Sequence, residues 1–255
     1  MISSGRAVVG PDGLLRSVHS RPPMTIRQVL SDDPGRCALC LVGSAAGPLA
    51  GDDVRFDLTL EADAAATLTS VGALIAQGRG AGAASALHTR VVLGARAEVN
   101  AAPQPVVVCA GSRVALTVSI ELDPTASVRW REILVLGRSD ESAGAVSVEW
   151  DVRRGGRPLL RQRLDLTGAE TWAGLLRGHR VLATELHAGP RVHAQTVVRS
   201  DRAVVLRVDD HCELLTVLAD DTAGALSELA RLSASSGLAP REPVPAGGPS
   251  PRAAE

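Results

Sequence analysis

Along the row beginning at Val54, apolar residues fall at every second position (Val54, Phe56, Leu58, Leu60), while Arg55, Asp57, Thr59 and Glu61 fill the positions between. This period of two marks a strand with one face packed and one face wet. It recurs as Val114, Leu116, Val118, Ile120 and Leu122, and again as Val146, Val148, Trp150 and Val152. Between residues 153 and 157, Gly155 and Gly156 tolerate positive φ, so the chain is expected to reverse into a strand carrying Leu160, Leu164 and Leu166. Residues 106–109 and 133–136 are apolar without alternation and predict strands buried on both faces. Further strands are expected over residues 181–186, 192–198, 203–208 and 213–218.

Helical spacing appears late. Asp221 or Thr222 can cap a first turn, and Leu226, Leu229, Ala230 and Leu232 then fall on one side of a helix. A shorter helix is expected over residues 170–176. Beyond Gly237 the chain is punctuated by Pro240, Pro243, Pro245, Pro249 and Pro251, and cannot bury enough apolar surface to offset its ordering entropy. The expectation is one predominantly all-β domain over residues 1–235 and a disordered tail over 236–255.

Composition narrows the function classes. The 255 residues carry a formal net charge of −1, and all 27 basic residues are Arg. No part of the chain gathers an Arg stripe interleaved with aromatics, so a nucleic-acid partner is not expected. With three Trp, one Phe and no Tyr, the core must be built from Val, Leu and Ala in thin layers. No apolar run reaches the length of a membrane span and no leader pattern opens the chain, so the protein is expected in the cytoplasm, away from the membrane, with its four Cys reduced.

Several constellations could carry chemistry. Cys37 and Cys40 have metal-ligand or redox spacing, but on a strand residues i and i+3 face opposite ways, so buried thiols are the better reading. His187 and His193 flank a turn and could approach one ion, yet two ligands do not make a site, and solvent-facing loop histidines are favoured. The glycines of residues 78–82 lack the Lys-Ser or Lys-Thr pair of a phosphate loop. Asp52-Asp53 and Asp209-Asp210 read as turn carboxylates, and no nucleophile elbow or acid/base pair stands out.

Residues 43–52, reading GSAAGPLAGD with Gly47, Gly51 and Asp52, resemble the glycine-rich stretch that precedes a strand in UreD (UreH) urease accessory proteins. Pro103-Gln104-Pro105 stands where that family carries P-Q-P or P-E-P before an apolar strand. Residues 130–138, WREILVLGR, resemble its strand ending in a Leu-Gly-Arg corner, here Gly137 and Arg138. The ordered set covers about residues 8–234. Departures include Gly43 for the usual Asn, and residues 71–75, which lack the family's Gln, Thr and Lys.

The resemblance implies stacked β-layers with β-helix-like winding plus one or two C-terminal helices. It implies a non-enzymatic scaffold for nickel insertion that binds apo-urease, a helical accessory protein of the UreF type and a nickel-carrying GTPase of the UreG type. Nickel would be an ion in transit, with no tightly bound cofactor. A path that must release its cargo suits isolated oxygens better than thiol clusters, so Asp52 and Glu132 are its candidate residues. The rival classes are a carbohydrate-active or other enzyme on a stacked-β fold, for which acid/base clusters and sugar-stacking aromatics are missing from the sequence, and a stand-alone β-sandwich binding module.

Overall fold

The computed structural model describes residues 1–78, 82–166, 176–190, 192, 197–198 and 200–235. Nearly all regular structure in them is strand. The N-terminal strands are β1 (Ile2–Val9), β2 (Leu15–Arg21), β3 (Met24–Val29) and β4 (Arg36–Gly43). The central ones are β5 (Asp53–Leu60), β6 (Ala65–Ser70), β7 (Leu74–Ala76), β8 (Ser85–Leu93), β9 (Glu98–Ala101), β10 (Val106–Val108), β11 (Arg113–Leu122) and β12 (Ser127–Leu136). There follow β13 (Ala145–Arg154), β14 (Arg157–Leu166), β15 (Val181–Ala188), β16 (Val197–Val198), β17 (Ala203–Asp209), β18 (Cys212–Ala219) and one helix, α1 (Thr222–Ser235).

These strands make two facing sheets, one of seven strands in the order β14-β13-β11-β8-β5-β1-β2, the other of eleven. The chain alternates between them as it climbs: β5, β8, β11 and β13 stack in parallel in the first sheet, while β4, β6, β9 and β12 stack in parallel in the second. Each alternating strand thereby places its apolar face in the layer between the sheets. Register turns the alternation into vertical ladders. Leu58 pairs with Val91, Val91 with Ile120 and Ile120 with Val152. In the second sheet Leu39, Leu68, Ala101 and Trp130 stack in turn, and the ladder continues through Leu186 and Leu214.

One repeated corner closes the coils. Leu60, Leu93 and Leu122 each end a strand of the first sheet and are followed, four residues on, by Ala64, Ala97 and Ala126. At each corner the alanine N–H donates back three residues, to the carbonyls of Glu61, Gly94 and Asp123 at 3.2, 3.1 and 3.0 Å. All three alanines are fully buried, so a methyl group fills the bend. Gly94 is required in its turn because a Cβ there would stand 2.8 Å from the Ala62 nitrogen of the coil beneath. The repeat has no fixed period, since the spans between corners differ.

After β12 the winding stops. β15, β18, β17 and β16 continue the second sheet in antiparallel fashion, and α1 packs over its outer face. Asp221 caps the helix as expected, its side chain accepting the Gly224 N–H at 2.7 Å. Ala225, Leu229 and Leu232 face a second core containing Ile133, Val181, Ala183, Leu215 and Val217, while Leu226 points outward. The helix explains why Ile133 and Leu134 are buried on opposite faces of one strand. Residues 106–108 differ from expectation: β10 is hydrogen-bonded on both sides, by β7 and β12, yet Val106 and Val107 are only half-buried. The short helix expected over residues 170–176 lies, but for Leu176, outside the described residues, as does the tail from residue 236. Among the described residues no helix is long and apolar enough to cross a membrane.

Candidate functional site

The glycine-rich stretch folds into a tight turn ahead of β5. Asp52 donates its backbone N–H to the Leu49 carbonyl at 3.0 Å, and its carboxylate accepts the Leu49 N–H at 2.8 Å and the Met1 ammonium at 2.7 Å. Burial alone would raise this carboxyl, but the ammonium and the Leu49 N–H outweigh it and hold it below its ordinary value. Gly51, at φ +80°, donates its N–H to the Ala83 carbonyl at 3.0 Å, and Gly47 is joined to Pro48 by a cis bond. At the second matching segment, the Gln104 N–H donates to the Ser70 hydroxyl at 2.9 Å and the Pro105 carbonyl accepts from Leu74. At the third, Gly137 has φ +75°, and a Cβ there would lie 2.4 Å from the Glu141 carbonyl oxygen. Arg138 holds the Glu141 carboxylate through Nε at 2.9 Å and Nη2 at 3.2 Å, pulling that carboxyl down to about 2.

Glu132 lies elsewhere in character. On β12 it occupies the row of Val128, Trp130, Leu134 and Leu136 and so points between the sheets. Beyond the last coil that layer opens into a small pocket lined by Glu132, Trp150, Gln162, Thr184 and leucines of both sheets. The Trp150 indole N–H donates to Glu132 Oε2 at 2.7 Å. Burial pushes the Glu132 carboxyl up to about 7, and the indole N–H offsets only part of that rise. The Glu132 side chain is half-buried at the edge of this pocket.

The cysteine reading holds: on β4 Cys37 enters the core while Cys40 is half-buried on the other face, and burial lifts the Cys37 thiol to about 11. The reading of His187 does not. It is buried on β15, in no loop, and belongs to a charge cluster that the sequence reasoning missed; His193 and residues 79–81 lie outside the described residues.

That cluster sits on the outer face of the second sheet, under the end of α1. Glu185 Oε1 accepts from Arg129 Nε at 2.8 Å, His187 Nε2 at 2.7 Å and the Ser233 hydroxyl at 3.0 Å, while Oε2 accepts from Arg131 Nε at 2.7 Å. The other ring nitrogen of His187, Nδ1, lies 2.6 Å from Glu213 Oε1. Glu185 and Glu213 are fully buried. Burial opposes the charge on Glu185, but His187, Arg129 and Arg131 hold its carboxyl well below the usual range. Burial likewise favours a neutral His187, yet the two glutamates hold its pKa above 6.5. The signal available in the sequence was a set of charges, Arg129, Arg131, Glu185, His187 and Glu213, at alternate positions of strongly apolar strands. Among the described residues no group of three or more His, Cys, Asp or Glu side chains is gathered as a metal site.

The sequence model of the UreD urease accessory protein family matches residues 9–241. The chain belongs to the UreD family. Urease accessory protein UreD 1 of Saccharopolyspora erythraea is 37% identical over 187 residues, covering 71% of this chain and 73% of that one. Urease accessory protein UreD of Parafrankia sp. is 32% identical over 236 residues, covering 81% and 78%. Urease accessory protein UreD of Streptomyces avermitilis is 29% identical over 206 residues, covering 78% and 81%. The three motif segments of this UreD family member thus occupy the turn before β5, the β9–β10 connection and the corner after β12.

Proposed function

We propose that this protein is a non-catalytic scaffold for nickel insertion into urease. In this reading it joins apo-urease to a helical accessory protein of the UreF type, and through it to a nickel-carrying GTPase of the UreG type, in the cytoplasm. The observation that carries the reading is the UreD match over residues 9–241. Nickel is cargo here, and no tightly held cofactor is required.

A cargo ion must be held loosely enough to leave. Thiolate pairs bind borderline dications tightly, and Cys37 and Cys40 face opposite ways. Glu132 supports the looser alternative: a single carboxyl at a pocket mouth, with a pKa of about 7, exchanges a proton for a cation near neutrality. Asp52 is the second candidate, although both its oxygens already hold donors. Co-expression with urease subunits and the accessory proteins, followed by pull-down and nickel analysis of the recovered urease, tests both levels. Glu132→Gln should lower the nickel content with the complex intact. Normal loading would remove Glu132 from the path, and failure of the wild-type chain to co-purify with any of these proteins would remove the scaffold reading itself.

A further inference from the structure

The two oxygens of the Glu132 carboxyl are in different situations. Oε2 accepts the indole N–H of Trp150 across the layer between the sheets, at 2.7 Å. Oε1 takes no donor from the described residues. Nor is it sealed: the buried side-chain atoms without a partner among those residues are Arg154 Nε and Glu213 Oε2, so Glu132 Oε1 is left open at the edge of the pocket that Glu132 lines.

The donor is fixed more firmly than the acceptor. Trp150 is only 4% exposed, lies on the inward row of β13 and belongs to the main core with Val148 and Val152. Glu132 is half-buried and meets the indole from the facing strand, β12. A close-packed ring cannot turn its N–H to another acceptor without repacking, and a buried N–H that loses its acceptor is costly. A cation seated between both carboxylate oxygens would stand close to the positive hydrogen of that indole and would compete with it for Oε2. One that approaches Oε1 alone meets no such opposition.

The neighbouring polar groups suit this second mode. Thr184 stands directly opposite Glu132 in the β12–β15 pairing, and Gln162 directly opposite Trp150 in the β13–β14 pairing. Both line the pocket. An ion held through one protein oxygen keeps waters at its other positions, and a hydroxyl and an amide can hydrogen-bond those waters.

We propose that Trp150 is a positioning residue for the cation: by holding Oε2 it confines Glu132 to contact through Oε1, so that the ion is gripped at one point and leaves readily. This role rests on Glu132 being on the nickel path, as proposed above.

Equilibrium dialysis of Ni2+ against the purified full chain over a pH series, with release timed after addition of a chelator, tests it. On the plateau above the Glu132 titration, Trp150→Phe should bind Ni2+ about two- to tenfold more tightly than wild type and release it correspondingly more slowly, the fold-change to which one such hydrogen bond corresponds. Loss of packing alone would weaken binding or leave it unchanged. Glu132→Gln should lose most of the affinity. Zn2+, which is diamagnetic, allows a second measurement on the unaltered protein: at saturation the Trp150 indole N–H resonance should keep its hydrogen-bonded position and its slow exchange. Should Trp150→Phe not fold, that resonance decides alone. Affinity in Trp150→Phe equal to or below that of wild type, with Glu132→Gln impaired, would overturn the role of Trp150 and spare that of Glu132, as would an indole N–H freed by Zn2+. Undiminished binding in Glu132→Gln would overturn both.

Discussion

Among the residues, two buried ionisable groups and the half-buried Glu132 set opposing pH windows. Glu185 is depressed in the folded state, so its stabilisation is present above the ordinary carboxylate range and is lost as pH falls through the folded value. Glu132 is raised from 4.5 to about 7, so the fold favours its protonated form and stability declines as pH rises between those values, by about 3 kcal/mol if no relaxation intervenes. His187, also raised, adds a decline that begins above 6.5. Chemical denaturation over a pH series should therefore find maximal stability near about pH 5. In Glu132→Gln, which keeps an acceptor for the Trp150 N–H, the maximum should broaden up to about 6.5, where His187 takes over. An unchanged profile in that variant would show that Glu132 is not a buried acid. The sequence marked Glu132 as a charge in an apolar strand but could not say that it faces inward, because the strand around it bears charges on both sides. His187 was misread for a related reason. Its glutamate partners are two residues away on its own strand and on a strand that follows a long connection, and only pairing brings the latter within reach.

The strand elements owe their legibility to alternation. β5, β11 and β13 were readable because one face is wet, and the hairpin of β13 and β14 because Gly155 and Gly156, both at positive φ, mark its turn. β1, β2, β8 and β9 were not, since their alternation is blurred by small or charged residues at core and edge. β2, for example, pairs only with β1, and most of its side chains are exposed. The corners carried a weak written signal, a leucine followed four residues later by alanine, whose meaning needed the stacked coils. They make a sharp prediction. Ala97 is enclosed by the turns above and below, so Ala97→Leu should cost about 1–3 kcal/mol by overpacking. Ala95→Leu, two positions before the methyl-filled bend, should be tolerated, since residue 95 is not buried. Equal losses in thermal or denaturant unfolding would contradict the corner packing. Nearby, Asp63 and Arg96, both at positive φ, pair at 2.6 Å across adjacent corners, but both are exposed and add little.

For the whole molecule, the decisive property is that each coil rests mainly on its neighbours, as in other solenoids. The predominantly β reading and the stacked winding implied by the UreD resemblance both describe the observed architecture. What lay beyond the sequence was where the winding ends: nothing in β12 announces that the next strands of its sheet run antiparallel and accept a helix. That junction is where the inter-sheet pocket opens and the charge cluster forms, so the two places of chemical interest share one cause, the end of regular stacking. Along the outer face of the seven-stranded sheet, exposed pairs such as Arg6 with Asp57 and Arg161 with Glu149, at 3.5 and 3.7 Å, keep neighbouring strands wet on that side and contribute little individually.

The ladders also dictate which changes of length the chain can survive. Dropping a single residue from the middle of β8 would reverse the parity of everything between the lesion and the next corner, carrying Val91 or its neighbours out to water and polar side chains inward. Shortening or lengthening a bend, or duplicating a complete circuit from one leucine-to-alanine corner to the next, leaves parity intact. Deleting Arg90 should accordingly abolish soluble expression, whereas inserting one glycine after Ala95 should be borne with a modest loss of melting temperature. Descent within such a fold is free to proceed by whole storeys and is blocked by half steps.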